Sequence, residues 1–170
     1  MKRLIFLLIL FVAFPSSVFA DYTLPYPSYM PGNKLYKASR FFDELQKYWH
    51  WGNIASVKYR LKIADKYLVE AKILLEYRQY LLGIDALKRS NAQLPFIQKH
   101  LRLTQYDGKD VEKLRETIDR AMDVHVETLE KLAFELPASY QWIPEKQAPT
   151  TINFTELLQS AISERKRLLE

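Results

Sequence analysis

The sequence predicts an all-α bundle of about five helices, built from helical hairpins and preceded by an extended, proline-containing N-terminal strap. Three observations carry this. Val57, Leu61, Ala64, Leu68, Ala71 and Leu75 recur at alternating spacings of four and three, which places them on one face of a helix over Val57–Tyr80. Ile63, Tyr67 and Leu74 widen that stripe, as expected of a helix buried between neighbours. Only four glycines occur in 170 residues, too few for a loop-rich β fold and well placed as helix punctuation. The length suffices for one domain with a real core, and 48% hydrophobic against 26% charged residues is a globular composition.

The N-terminus reads as a targeting segment. Lys2 and Arg3 precede the apolar run Leu4–Phe14, and Val18-Phe19-Ala20 supplies the small residues of a cleavage site. The run is shorter than the roughly 20 apolar residues of a membrane span. We therefore expect a signal peptide over residues 1–20 and a single helical domain over 21–170, exported to a periplasmic, extracellular or cell-surface location. An uncleaved membrane anchor is the alternative. The absence of cysteine excludes disulfides, thiolate metal sites and cysteine nucleophiles.

Asp21–Gly32 holds Pro25, Pro27 and Pro31 and lacks helical periodicity, so it reads as a strap in β or polyproline geometry. Leu24, Tyr26, Tyr29 and Met30 are expected to tie it to the helices. Asn33 can cap a first helix, Lys34 to about Trp49, whose buried stripe is expected to be Leu35, Ala38, Phe41, Phe42, Leu45 and Tyr48 or Trp49. Trp49-His50-Trp51 reads as a packed helix end, and Gly52 as a left-handed stop.

Leu24-Pro25-Tyr26-Pro27, Pro31-Gly32-Asn33-Lys34-Leu35-Tyr36 and Ala64-Asp65-Lys66-Tyr67-Leu68-Val69-Glu70-Ala71 follow one another in the order of three motifs. In this the chain resembles the bacterial domain of unknown function 5667 family over about residues 22–100. Ser28, Asn33, Lys34 and Tyr67 depart from the family's usual glycine, aspartate, proline and arginine. The resemblance implies an exported or membrane-anchored helical domain and carries no activity to transfer. It also divides the domain into a family-like part, 22–103, and C-terminal helices, 104–170.

Where the long helix stops has two readings. Gly83 is one stop, and the other is the family's turn at Tyr77-Arg78-Gln79, which leaves Gly83 inside a third helix facing the second. Spacings from Tyr67 to Pro95 are similar to one tetratricopeptide repeat, but a single copy makes a helical hairpin and no solenoid. The third helix runs to about Leu94, with Pro95 ending or kinking it before Phe96–Leu103. Asp110 caps a fourth helix on the stripe Val111, Leu114, Ile118, Ala121, His125, Leu129, Leu132 and Leu136, with Glu116–Arg120 and Glu127–Lys131 pairing on its outer face. Pro137–Thr150 reads as a connection crossing the bundle, pinned by Tyr140, Trp142 and Ile143. Asn153 and Glu156 form a capping box for the last helix, with Ile152 stapled to Leu157. Arg165-Lys166-Arg167 sits where cations favour a helix C-terminus.

Little in the sequence points to chemistry. His50, His100 and His125 have no partner at metal-ligand spacing, and His125 reads as a hydrogen-bonded core residue. No phosphate-binding loop, dinucleotide fingerprint or nucleophile elbow occurs. Residues 22–106 hold 14 Lys/Arg against 6 Asp/Glu, and residues 107–170 hold 9 against 13, a split that reads as two mutually attracting halves. Lys58, Lys62 and Lys66 form a strip at i, i+4 and i+8 that could meet an anionic partner. The expectation is an exported, non-catalytic helical module of the cell envelope in an interaction or structural role, with no cofactor or metal. Its partner would be another envelope protein or an anionic envelope polymer or lipid, and not nucleic acid. The alternative is an envelope enzyme, or an accessory to one, whose mark would be a cleft lined by His125 with two or more acidic residues.

Overall fold

The computed structural model describes residues 22–146 and 148–169; the predicted signal peptide, residues 1–20, lies outside them. Residues 22–35 form the strap. Its prolines lack the N–H donors of a ladder, so side chains place it: Leu24 and Met30 pack against the interior, and Tyr22 reaches the buried Asp65. Tyr26 and Tyr29, expected to pack beside them, are exposed. Asn33 Oδ1 accepts the Leu35 N–H at 2.8 Å, and α1 follows over Tyr36–Gln46. Gly52, at φ +93°, turns the chain into α2, Asn53–Glu76.

The long central helix is confirmed. α2 is buried around most of its circumference between Val57 and Leu75, because α3 (Tyr80–Asn91), α4 (Leu94–Tyr106) and α5 (Glu112–Glu135) all pack on it. It stops at the Tyr77–Gln79 turn, where Arg78 takes φ +60°. Gly83 therefore lies inside α3, and a Cβ there would stand 2.7 Å from Leu75 Cγ. Of the two readings at Pro95, an end or a kink, the chain takes an end: α3 stops at Asn91, three residues before the expected Leu94, and Pro95 sits in the first turn of α4, where its missing donor costs nothing. Asp110 Oδ1 accepts the Glu112 N–H at 2.9 Å at the start of α5. On its outer face Lys131 pairs with Glu127 at 2.7 Å, whereas Arg120 donates to the Glu116 carbonyl rather than to its carboxylate.

The connection after α5, expected to cross the bundle, is a hairpin. β1 (Ser139–Trp142) pairs antiparallel with β2 (Thr150–Asn153), Tyr140 opposite Ile152. Tyr140, Trp142, Thr150, Thr151 and Ile152 favour extended backbone, while Pro144 and Pro149 fall between the strands. Tyr140 packs against Tyr80 with the rings tilted by 60° and 4.7 Å between centroids, but Ile143 is exposed and pins nothing. α6, Phe154–Leu169, opens on the expected cap: Asn153 Oδ1 accepts the Glu156 N–H at 3.1 Å. The described residues thus form an all-α bundle with one small two-stranded sheet.

The interior has two apolar halves. One gathers Leu68, Leu75, Leu87, Leu129, Phe154 and Leu158 around the α2–α3 turn. The other gathers Val57, Leu61, Ile97, Ile118, Met122 and Leu168 at the opposite end of α2. Between them in sequence, on α2, α5 and α6 alike, stands one buried aspartate, histidine or arginine.

Candidate functional site

Those three residues are Asp65, His125 and Arg165, and they meet. His125 Nε2 lies 2.7 Å from Asp65 Oδ1, and Arg165 Nε donates to His125 Nδ1 at 3.3 Å. A guanidinium only donates, so Nδ1 must accept, and the Nε2–H then points at Asp65. Neutral His125 thereby bridges an anion and a cation. Burial holds its pKa below the ordinary 6.5, assisted by the Arg165 charge and opposed by Asp65. Burial also draws the Arg165 guanidinium down to about 10, still cationic at neutral pH.

The other guanidinium nitrogens have partners too. Arg165 Nη1 donates to Asn91 Oδ1 at 2.8 Å and the Ala161 carbonyl at 2.9 Å, and Nη2 donates to Ser90 Oγ at 2.9 Å. Ser90 in turn donates to the Ala64 carbonyl at 2.8 Å. From the strap, the Tyr22 hydroxyl donates to Asp65 Oδ2 at 2.6 Å. Among the described residues no buried side-chain polar atom lacks a partner. His125 and Arg165 are 0% exposed, so these two are closed off, while Asp65 also lines an open groove beside Tyr22. The feature that would mark an enzyme, a cleft lined by His125 and two acids, is not what the described residues form: His125 is 0% exposed and is bonded to one carboxylate.

Arg165 adds to the sequence reading, which placed it with Lys166 and Arg167 as a basic cluster favoured at a helix C-terminus; it is buried. It falls seven residues after Leu158 and three before Leu168, on the apolar stripe, and that spacing was the available signal. Lys166 reaches Glu130 across to α5 at 3.4 Å.

The predicted lysine strip divides. Lys58 and Lys62 are exposed and border an open groove of about 550 Å³ with Tyr22, Asp65, Asp110 and Lys113. Lys66 faces elsewhere: it is half-buried, ion-paired with Asp43 of α1 and bonded to Ser39 Oγ at 3.1 Å. No three His, Asp or Glu side chains among the described residues are grouped to hold a metal.

The larger departure is α1. No residue of this helix is buried. Phe41, Phe42, Tyr48, Trp49 and Trp51, which the sequence reading placed in or packed near the core, are 62, 58, 68, 73 and 85% exposed. The helix is held by its other face, which is polar. Tyr36 donates to the buried Glu70 at 2.5 Å and accepts from Arg89 at 3.1 Å, Ser39 and Asp43 take Lys66, and the Asp43 carbonyl accepts the Tyr59 hydroxyl. His50 stacks on Tyr59 at 4.4 Å while its neighbours Trp49 and Trp51 turn outward. Burial raises the Glu70 carboxyl, and burial with the Glu70 bond pushes Tyr36 up to about 12. Tyr36, Ser39, Asp43 and Gln46 recur at helical spacing, so a polar inward stripe could have been read beside the apolar one.

No family model, curated protein or solved structure matches this chain.

Proposed function

We propose that the chain is an exported, non-catalytic interaction module of the cell envelope. One observation carries this reading: the apolar face of α1 is turned away from the bundle, while the buried polar side-chain atoms of the described interior all have partners. An exposed aromatic cluster held in place by a polar underside has the build of a contact surface. Catalysis needs reacting groups that a substrate can reach; His125 and Arg165 are 0% exposed, and Asp65, the member of the layer that meets a groove, is bonded to Tyr22 and His125. The apolar run at residues 4–14 and the resemblance in the three N-terminal motifs support the export part.

Lys58 and Lys62, now apart from Lys66, belong to this reading as a secondary site for anionic envelope polymer. The Lys58/Lys62→Gln variant is the cleaner test of that site, because Lys66→Gln would also loosen α1 from Asp43. For the reading as a whole, the full chain carrying a C-terminal tag is expressed in bacteria, with a photocrosslinking amino acid at position 41 or, as control, at the exposed Phe134. The expected result is tag in the envelope or medium and crosslinks to envelope material from position 41 only. Tag confined to the cytoplasm, or equal crosslinking from both positions, would overturn the proposal.

A further inference from the structure

The outward face of α1 has a shape and charge that select among partners. Phe41, Phe42 and Leu45, continued by Tyr48 and Trp49 past the helix end, form a connected apolar stripe at helical spacing. Lys37, Arg40 and Lys47 line one edge of that stripe, and Lys34 precedes it. Two acidic residues share the segment. Asp43 turns inward to Lys66, which leaves Glu44, paired with Lys47, as the exposed carboxylate against four cations. Below this lies the polar face that fastens the helix to α2 and α3. The cross-section therefore has three sectors: polar toward the bundle, cationic along one flank, aromatic and apolar outward.

We infer that α1 with the Trp49–Trp51 corner is a peripheral docking surface for an anionic lipid bilayer. Tryptophan, tyrosine and phenylalanine beside lysine and arginine form the residue set that settles at a bilayer interface. Apolar rings enter the acyl boundary, and the cationic heads stay at the level of the phosphates. Each basic residue near an anionic surface adds to the attraction, so the flank favours a negative bilayer over an uncharged apolar groove. The docking face needs no unfolding, since these rings are exposed already. This inference rests on the proposed envelope role and names its surface and partner.

Tryptophan fluorescence tests it locally. In the full chain carrying Trp142→Phe, the remaining tryptophans are Trp49 and Trp51. Vesicles of phosphatidylcholine, with or without phosphatidylglycerol, are prepared with acyl chains brominated to quench any ring that enters them. The expected result is quenching and a blue shift on vesicles containing phosphatidylglycerol, with partitioning about tenfold weaker on phosphatidylcholine alone. Phe41→Ser/Phe42→Ser should weaken partitioning about tenfold with unchanged circular dichroism, while Phe134→Ser leaves it unchanged.

Three outcomes overturn the inference. One is unquenched tryptophans on vesicles that nonetheless bind the chain, as insertion of residues 4–14 alone would give. Another is quenching that ignores lipid charge and the Phe41/Phe42 variant. The third is concentration-dependent self-association that shields Trp49 and Trp51 without lipid, which would assign the face to a second copy. None of these bears on where the chain is exported, and a cytoplasmic tag would overturn the envelope role without altering the vesicle result.

Discussion

Two regions of this molecule reverse the usual placement of polar and apolar groups, and they do so in opposite directions. Midway along the bundle, a carboxylate, an imidazole and a guanidinium are enclosed between two apolar clusters. On α1, aromatic rings face outward while tyrosine, serine and aspartate face the bundle. An exposed single leucine is ordinary, but buried ionisable groups and a connected exposed aromatic face are the informative cases. The contrast teaches what each arrangement is for. The inner layer has a partner for every buried polar atom among the described residues and is answerable to the fold. The outer face has its polar groups matched and its apolar area left over among the described residues, and is answerable to something outside.

The contrast is easiest to break at Arg165. Arg165→Met leaves Asp65 buried without its counter-charge and removes the donors to Ser90, Asn91 and the Ala161 carbonyl. Stripping one partner from a buried charge system costs about 3–5 kcal/mol, and urea denaturation should show that loss. Replacing the three together, Asp65→Leu, His125→Leu and Arg165→Met, should recover most of it, because an apolar layer carries no desolvation cost. A single variant within about 0.5 kcal/mol of wild type, the ordinary scatter for surface sites, would mean that the layer does not hold the fold.

Gly83 gives a smaller effect whose sign is decided by packing. Glycine to alanine inside a helix gains up to about 1 kcal/mol from propensity alone. Here the new methyl would meet Leu75 Cγ at 2.7 Å and the Leu75 backbone nitrogen at 3.2 Å, and Leu75 is 1% exposed, so it has nowhere to swing. Overpacking of this kind costs about 1–3 kcal/mol, so Gly83→Ala is expected to lower the melting temperature rather than raise it.

Titration separates the interior from a merely buried histidine. His125 faces Asp65 on α2 and Arg165 on α6, with Tyr22 of the strap on the far side of Asp65. Its folded pKa lies below the ordinary 6.5, so below that pH the unfolded chain binds the extra proton. The stability His125 contributes is present above 6.5 and is lost as pH falls from there, by at most about 1.4 kcal/mol per pH unit. Glu70 has the opposite sign. Its contribution is full below the ordinary 4.5 and is lost as pH rises through its raised folded value. His125→Gln should flatten the fall on the acid side, and Glu70→Gln the fall above 4.5, each followed by thermal melts across the pH range. An unchanged acid limb in His125→Gln would show that the imidazole is protonated in the folded state.

How much of this is legible in the sequence follows from what periodicity measures. The stripes of α2 and α5 are readable because burial on one side makes spacing and environment agree, from Val57 to Leu75 and from Leu114 to Leu132. His125 is readable as core for the same reason. Arg165 shares the spacing, but a cation near a helix C-terminus already has a local rationale, and that rationale hides it. The stripe of α1 is also real; periodicity reports that a helix has an apolar face and is silent on whether the bundle lies under it. The hairpin escapes because two four-residue strands are too short to show alternation and their loop carries both prolines. Nothing local announces that Asp65, 60 residues from His125, will be its partner.

The smallest predicted effect bears most directly on the contrast. If the α1 rings contribute nothing to the bundle, Phe41→Ser/Phe42→Ser should change stability by no more than about 0.5 kcal/mol. Leu68→Ala, which removes a side chain of 0% exposure from the same central helix that α1 rests on, should cost about 2–5 kcal/mol. Two aromatic truncations would then weigh less than one aliphatic one, the reverse of their apolar areas. Chemical denaturation of both variants beside wild type decides it. Were the double variant as costly as Leu68→Ala, the rings would be part of the fold, and the outward face would have no surplus to offer a partner.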